Sequence, residues 1–319
     1  MRAALYRSAG NSGVLRVEDV DAPVPGPGQV AVRLRVAGVN PTDWKTRTRL
    51  DPADFQVPGQ DGAGDVVAVG EGVDPGRVGQ RVWVWFAERS GQWGTAAETT
   101  VVPADRAVPL PDAASYDLGA GLGIPAMTAW HCLFADGPLD GRTVLVAGGA
   151  GAVGNAAIAL ARRGGARVLT TVSDDASAEL ASTAGADVVL RRGPDLADRV
   201  RAAAPDGVDR VVEVALGANL ALDLAVLAPR STVSTYADDL VGDVPVRDLM
   251  VLNTSLDFVL VYGIGEPALA AAVAGVSAAV AESALPPLPA VRFALDDIAA
   301  AHDAVQAGGL RGKVLLDLP

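Results

Sequence analysis

Gly148, Gly151 and Gly154 lie between an apolar run, Thr143 to Ala147, and an alanine-rich run that begins at Asn155. With this spacing the first glycine permits a tight turn, the second lets the backbone approach a pyrophosphate, and the third lets a helix pack closely on its strand. Phosphate oxygens would rest on the N–H groups that open the helix, from Gly151 through Ala152 and Val153 to Gly154. The helix, Asn155 to Arg163, is followed by Gly164-Gly165 and a second apolar strand, Ala166 to Val172, which closes a βαβ unit of the expected length. The chemistry to expect is dinucleotide binding.

Other elements must position that turn. Residues 1 to 116 are rich in Val, Gly and Pro, with short alternating runs such as Gln29 to Val36, Gly64 to Val69 and Arg81 to Trp85, separated by turn signals such as Pro58-Gly59 and Pro75-Gly76. This is the pattern of a compact β-rich domain. From Asp117 onward, Ala/Leu segments alternate with Val-rich strands at Thr143 to Ala147, Arg167 to Val172, Asp187 to Leu190, Arg210 to Val214, Ser231 to Ser234 and Asp257 to Tyr262. Strands that alternate with helices predict a parallel sheet. A helix over Pro267 to Glu282 follows, then Ala290 to Leu295, a helix over Asp296 to Ala307, and Lys313 to Leu318. The expected fold class is α/β: a doubly wound parallel-sheet domain, 117–262, inserted in a β-rich domain made of 1–116 and 263–319.

Bulk properties narrow the partners. The 319-residue chain is half apolar and carries a net charge of −12 with a pI near 4.6. Binding to nucleic acid or to an anionic membrane needs clustered positive charge, so a small-molecule substrate is the expected partner. The single cysteine, Cys132, excludes an internal disulfide and any multi-cysteine zinc or iron–sulfur site. The most apolar stretch, Pro267 to Ala281, is too short and too alanine-rich to span a bilayer. Met1-Arg-Ala-Ala-Leu-Tyr-Arg reads as the start of a strand, without the apolar core of a signal peptide. A cytoplasmic protein is expected.

Six blocks in order carry a resemblance across nearly the whole chain. They are Gly38-Val-Asn-Pro-Thr-Asp-Trp-Lys45, Val57-Pro-Gly-Gln-Asp-Gly-Ala-Gly64, Ile124-Pro-Ala-Met-Thr-Ala-Trp130, the glycine turn, Gly185-Ala-Asp187 and Gly312-Lys-Val-Leu315. Together they resemble the medium-chain dehydrogenase/reductase superfamily, and within it the zinc-independent quinone oxidoreductase branch. The resemblance implies a Rossmann domain inserted in a GroES-like catalytic domain, and hydride transfer from a nicotinamide to a quinone or an α,β-unsaturated carbonyl. In zinc-dependent relatives the position matching Asn40 is usually a cysteine ligand and the pair matching Gln60-Asp61 is usually His-Glu. Amides bind Zn²⁺ poorly, and neither His131 nor His302 matches a ligand position, so no metal is expected.

The resemblance also implies site residues. Asn40 and Asp43 border the nicotinamide and substrate pocket, Asn40 as a possible donor, while Asp43, two residues after Pro41, equally suits a helix cap. Thr128 and Asn253 are expected at the cofactor. Lys45, Arg47 and Arg49 alternate as a solvated strip would. Relatives pair the edge strand, here Asp257 to Tyr262, across a two-fold axis, so a homodimer is expected.

NAD-binding folds place an acid near the end of the second strand, roughly 20 residues after the turn, to hold the ribose hydroxyls. Val172 stands there and cannot do so, whereas the adjacent Ser173 could donate to a 2′-phosphate. Arg191 and Arg192 follow the third strand where relatives contact the same phosphate, and guanidinium suits it. The lysine that NADPH-using relatives place downstream matches Ser177, and Asp174 and Asp175 would repel a phosphate if turned inward. NADPH is the expected cofactor. Two other functions share these motifs: an enoyl reductase tailoring a biosynthetic intermediate, and a non-catalytic nucleotide-binding protein.

Overall fold

Short alternating Val/polar runs make strands because each buries one face and leaves the other to solvent. In chain order the first are β1 (Arg2–Leu5), β2 (Arg16–Asp19) and β3 (Gln29–Val39), then helix α1 (Pro41–Arg47), β4 (Asp61–Val69), β5 (Arg81–Val84), β6 (Thr99–Pro103), β7 (Ala107–Pro109) and the short α2 (Tyr116–Gly119). The Ala/Leu-rich middle gives α3 (Met127–Phe134), β8 (Thr143–Ala147), α4 (Ala152–Arg163), β9 (Arg167–Val172), α5 (Asp175–Thr183), β10 (Val188–Arg191) and α6 (Leu196–Ala203). It continues with β11 (Val208–Glu213), α7 (Leu216–Val226), β12 (Leu227–Thr235), α8 (Val246–Leu252), β13 (Ser255–Phe258) and α9 (Glu266–Ala281), and the chain ends with β14 (Ala290–Ala294), α10 (Ile298–Ala307) and β15 (Lys313–Asp317). The structure, a computed structural model, describes residues 1–239 and 242–319.

The chain divides into two compact units, Met1–Ile124 with Pro287–Pro319, and Pro125–Pro286. In the first unit a seven-stranded sheet runs β14-β15-β3-β4-β5-β7, with β6 also paired to β3. Its register is what matters for the site. Antiparallel pairing sets Val314 opposite Val39 and Asp61 opposite Gly38, so Asn40, Asp61 and Lys313 converge at one end of three adjacent strands. Gly38 allows this approach, because a Cβ there would collide with the carbonyl of Ala120 and crowd the Lys313 stem.

The second unit is a six-stranded parallel sheet in the order β10-β9-β8-β11-β12-β13. Counted along the unit, that is the doubly wound order 3-2-1-4-5-6, whose crevice lies outside the carboxyl ends of the strands. Leu145, Leu169, Val211 and Val233 are buried at its centre.

Two boundaries differ from the expectation. Both junctions fall later, after Ile124 and Pro286 rather than after residues 116 and 262, the second because α9 belongs to the parallel-sheet unit. There α9 packs on α3 so tightly that a Cβ at Gly275 would enter the Trp130 ring. The edge strand is also shorter than Asp257 to Tyr262: β13 stops at Phe258, and Val261–Gly263 turns as a 3₁₀ helix. No helix among the described residues is long and apolar enough to cross a membrane.

Candidate active site

In the parallel-sheet unit the glycine turn has the form its spacing predicts. Gly148 takes a left-handed φ of +72° directly after β8. A Cβ on Gly154 would collide with Gly148 O, so only glycine lets α4 start this close to its strand. Gly151 is different: its Cβ position meets only Gly148 O, at 3.5 Å, leaving open space before the helix. Gly151 is the N-cap, and no side chain caps α4. The first N–H groups of a helix have no intrahelical acceptor, so Ala152, Val153 and Gly154 offer theirs to whatever sits at the turn. A pyrophosphate fits this cradle.

Ser173, Arg191 and Arg192 come together at the carboxyl ends of neighbouring strands, since Val172 pairs with Arg191 and Arg192 N–H donates to Val172 O. Asp174 is spent on capping α5, accepting from Ser177 N–H at 2.9 Å and from the Ser173 hydroxyl at 3.0 Å. Asp175 pairs with Arg191 at 2.5 Å. Local partners therefore offset both acids, and Arg192 makes no ion pair among the described residues.

Thr128 is buried on α3. That helix is tied to the sheet by Arg210, which donates to Cys132 O at 2.7 Å and pairs with Asp136, while Asp136 also accepts from Thr232 at 2.9 Å. Cys132 itself is buried, and burial pushes its thiol up to about 12. Asn253 does not join the site. It is the left-handed C-cap of α8, with φ +52°, and leads into the amino end of β13. Parallel strands bring their carboxyl ends to one edge, so Asn253 lies on the edge opposite the glycine turn.

Glu213, at the carboxyl end of β11, was not anticipated. Its Oε1 accepts from the N–H groups of Val214 and Ala215 and from Asn219 at 2.5 to 2.9 Å, shaping the loop beside Gly148. A buried acid closing a Val-rich strand was the available signal.

The first unit holds a buried ionisable cluster. Asn40, Asp43, Asp61, Gln60, Glu88 and Lys313 are all buried. Asn40 Nδ2 donates to Asp61 Oδ2 at 2.8 Å, and Asn40 Oδ1 accepts from Lys313 Nζ at 3.0 Å. Lys313 also donates to Val39 O at 2.6 Å. Asp61 accepts from Ile124 N–H at 2.9 and 3.0 Å, an approach that needs Gly123 because a Cβ there would strike the carboxylate. Asp43 does act in the cap of α1, its Oδ2 accepting from Asn40 N–H at 2.7 Å, while its Oδ1 has no hydrogen-bond partner.

Burial raises all three carboxyls, Asp61 to about 6, Glu88 to about 7, and Asp43 well above the usual carboxylate range with Glu88 adding to the shift. Burial likewise lowers Lys313.

Arg47 is not part of a solvated strip. Helix α1 packs on α10, which turns Arg47 inward to donate to Gly10 O at 2.7 Å and to His302 Nδ1 at 3.4 Å. Alternation at i, i+2 suggests a strand face, but Lys45 and Arg47 lie on a helix, where such positions diverge.

Residues 26–112 match the alcohol dehydrogenase GroES-like domain family, and residues 152–275 match the zinc-binding dehydrogenase family. The rat (Rattus norvegicus) quinone oxidoreductase is 30% identical over 324 residues, covering 99% of this chain and 97% of that protein. The human (Homo sapiens) synaptic vesicle membrane protein VAT-1 homolog is 37% identical over 238 residues, 72% of this chain and 58% of that one. Among solved structures, a mycobacterial protein complexed with NADPH aligns over 100% of both chains with a TM-score of 0.85 and 30% identity. The fold and these matches define a medium-chain dehydrogenase/reductase, and within that superfamily the chain belongs to the quinone oxidoreductase family.

The zinc in one family's description finds no matching donors here. Asn40 and Gln60 are amides, Asp61 is engaged by Asn40 and Ile124, and the Lys313 ammonium already places a cation against Asn40. Among the described residues no group of three or more His, Cys, Asp or Glu could hold a metal ion.

Proposed function

We propose that this chain reduces a quinone or an α,β-unsaturated carbonyl with NADPH and without zinc, in a reducing, cytoplasmic setting. The observation that carries this reading is the Asn40 cluster: a buried amide is held between an ammonium and a carboxylate, at a position that the family resemblance matches to a metal ligand of zinc-dependent relatives. NADPH, when bound, supplies the hydride. The Ala152, Val153 and Gly154 N–H groups and the α4 dipole hold its pyrophosphate, against the open backbone of Gly151. Ser173 and Arg192 take the 2′-phosphate, a choice supported by Val172 standing where an NAD enzyme keeps its ribose-binding acid, and by the NADPH found with the mycobacterial relative. Thr128 serves the cofactor from α3.

Adding hydride to an enone or quinone leaves an oxyanion that needs a donor and then a proton. Asn40 is the donor and Asp43, a buried carboxyl bonded to the Asn40 N–H and raised in pKa by burial and then by Glu88, is the proton source. The test is loss of NADPH absorbance across a panel of quinones and enones. Turnover of at least one class is expected, and tight NADPH binding with no turnover of any acceptor would leave only a nucleotide-binding protein.

The same reading includes a homodimer. Phe258 and Leu260, 69% and 68% exposed, continue the outer edge strand of the parallel sheet, and such an edge is an aggregation hazard unless paired. Light scattering should give twice the 32.3 kDa chain mass, and a monomer at micromolar concentration would exclude it.

A further inference from the structure

Lys313 is out of place for a strand residue. It opens β15 ahead of Val314, Leu315 and Leu316, all buried, and it is buried itself. Taking an ammonium out of water is costly unless partners replace the lost hydration, so an apolar residue would suit the sheet better. Its ammonium donates to Val39 O and Asn40 Oδ1, with Asp61 supplying the opposing charge.

The partners of Asn40 are asymmetric in a way that fixes the amide. An ammonium can only donate, so the side of Asn40 facing Lys313 must be its oxygen. An ionised carboxylate can only accept, so the side facing Asp61 must be its nitrogen. Reversing the amide would set N–H against N–H and oxygen against oxygen in a buried site. One of the two Nδ2 hydrogens is taken by Asp61, and the other has no acceptor among the described residues.

We propose that Lys313 and Asp61 are positioning residues that lock the Asn40 amide in one orientation, leaving its second N–H as the donor for the oxygen of the hydride acceptor. This rests on the reductase reading above. It adds that the donor is oriented by a charge pair rather than by packing. Hydrogen-bonded to an ammonium on its oxygen side, the amide is also polarised toward donation, which suits an oxygen that gains negative charge.

The test combines a spectrum that needs no turnover with kinetics that do. In ¹⁵N-labelled cofactor-free protein the Asn40 side-chain amide pair, assigned by its loss in Asn40→Ser, should be displaced from the free-amide region and protected from exchange. Lys313→Met should return it toward the free-amide position and Lys313→Arg should retain it. In turnover, Lys313→Met should lower kcat at least about 10-fold with the KM for NADPH within about 2-fold, and Lys313→Arg should recover most of the loss.

If Lys313→Met fails to fold, Lys313→Gln keeps the volume and a donor but removes the charge, and it must show the same two effects in weaker form. An unchanged Asn40 signal in a folded Lys313→Met or Lys313→Gln variant overturns the proposal. Loss of the signal with unchanged kcat overturns the donor role. If the wild type turns over no acceptor, the reductase reading fails while the amide spectrum still decides the positioning.

Discussion

The two units prepare for their ligands by opposite means. In the parallel-sheet unit the cradle is backbone: three glycines, an uncapped helix end and N–H groups without acceptors. In the β-rich unit the Asn40 cluster is made of side chains, gathered from α1, β4 and β15 and bonded to one another before any ligand arrives. The comparison teaches that binding can be left unsatisfied at a surface helix end, where water substitutes. A buried donor must instead be oriented in advance by partners that cannot exchange roles.

The largest effect should come from filling the cradle. Gly154→Val drives a branched side chain into Gly148 O, and its NADPH affinity should fall by at least about 100-fold. Titration by NADPH fluorescence checks this, and an unchanged Kd would mean that the turn does not hold the phosphates. Asn40→Ala is the counterpart in the other unit. It should lower kcat about 100-fold, the usual scale for one oxyanion donor, while NADPH binding stays near wild type. If the first variant lost only kcat and the second only affinity, the division of labour drawn here would be reversed.

Arg192→Ala should raise the KM for NADPH about 10-fold and leave that for NADH unchanged, as one charge-assisted contact would. Equal effects on both cofactors would remove Arg192 from the 2′-phosphate.

The smallest effect concerns stability. Asp223, on α7, is buried with neither oxygen bonded, and burial, with Glu213 adding to it, raises its pKa to about 8. The unfolded chain releases that proton near 4, so the folded state binds more protons in between. Its favourable contribution is complete below about pH 4 and is lost as pH rises through about 8. Asp223→Asn should therefore melt near wild type at low pH and be more stable than wild type at pH 9. A constant difference across pH would show that Asp223 does not titrate with unfolding.

The contrast between the units also explains what the sequence disclosed. The glycine turn was legible because it is local: seven consecutive residues set strand, turn and helix, and Gly148 and Gly154 do what their spacing requires. Thr143–Ala147 and Arg167–Val172 match their strands end to end for the same reason. Lys313 is legible locally only as part of a terminal block and strand, because its meeting with Asn40 depends on antiparallel register across some 270 residues of chain. Arg47 was misread for want of the α1–α10 packing, Asn253 for want of the strand direction, and α9 because nothing local marks Gly275 as the seat of Trp130. Long-range register and packing lie outside any window of neighbouring residues.

The reductase we propose is zinc-free and draws its electrostatics from Lys313 and Asp61 instead of a metal. The most direct measurement is kcat/KM for NADPH with a responsive quinone or enone, before and after exhaustive dialysis against a chelator. Full activity in the dialysed enzyme, with NADPH preferred over NADH, is the predicted result. Activity lost on chelation and restored by Zn²⁺ would contradict it.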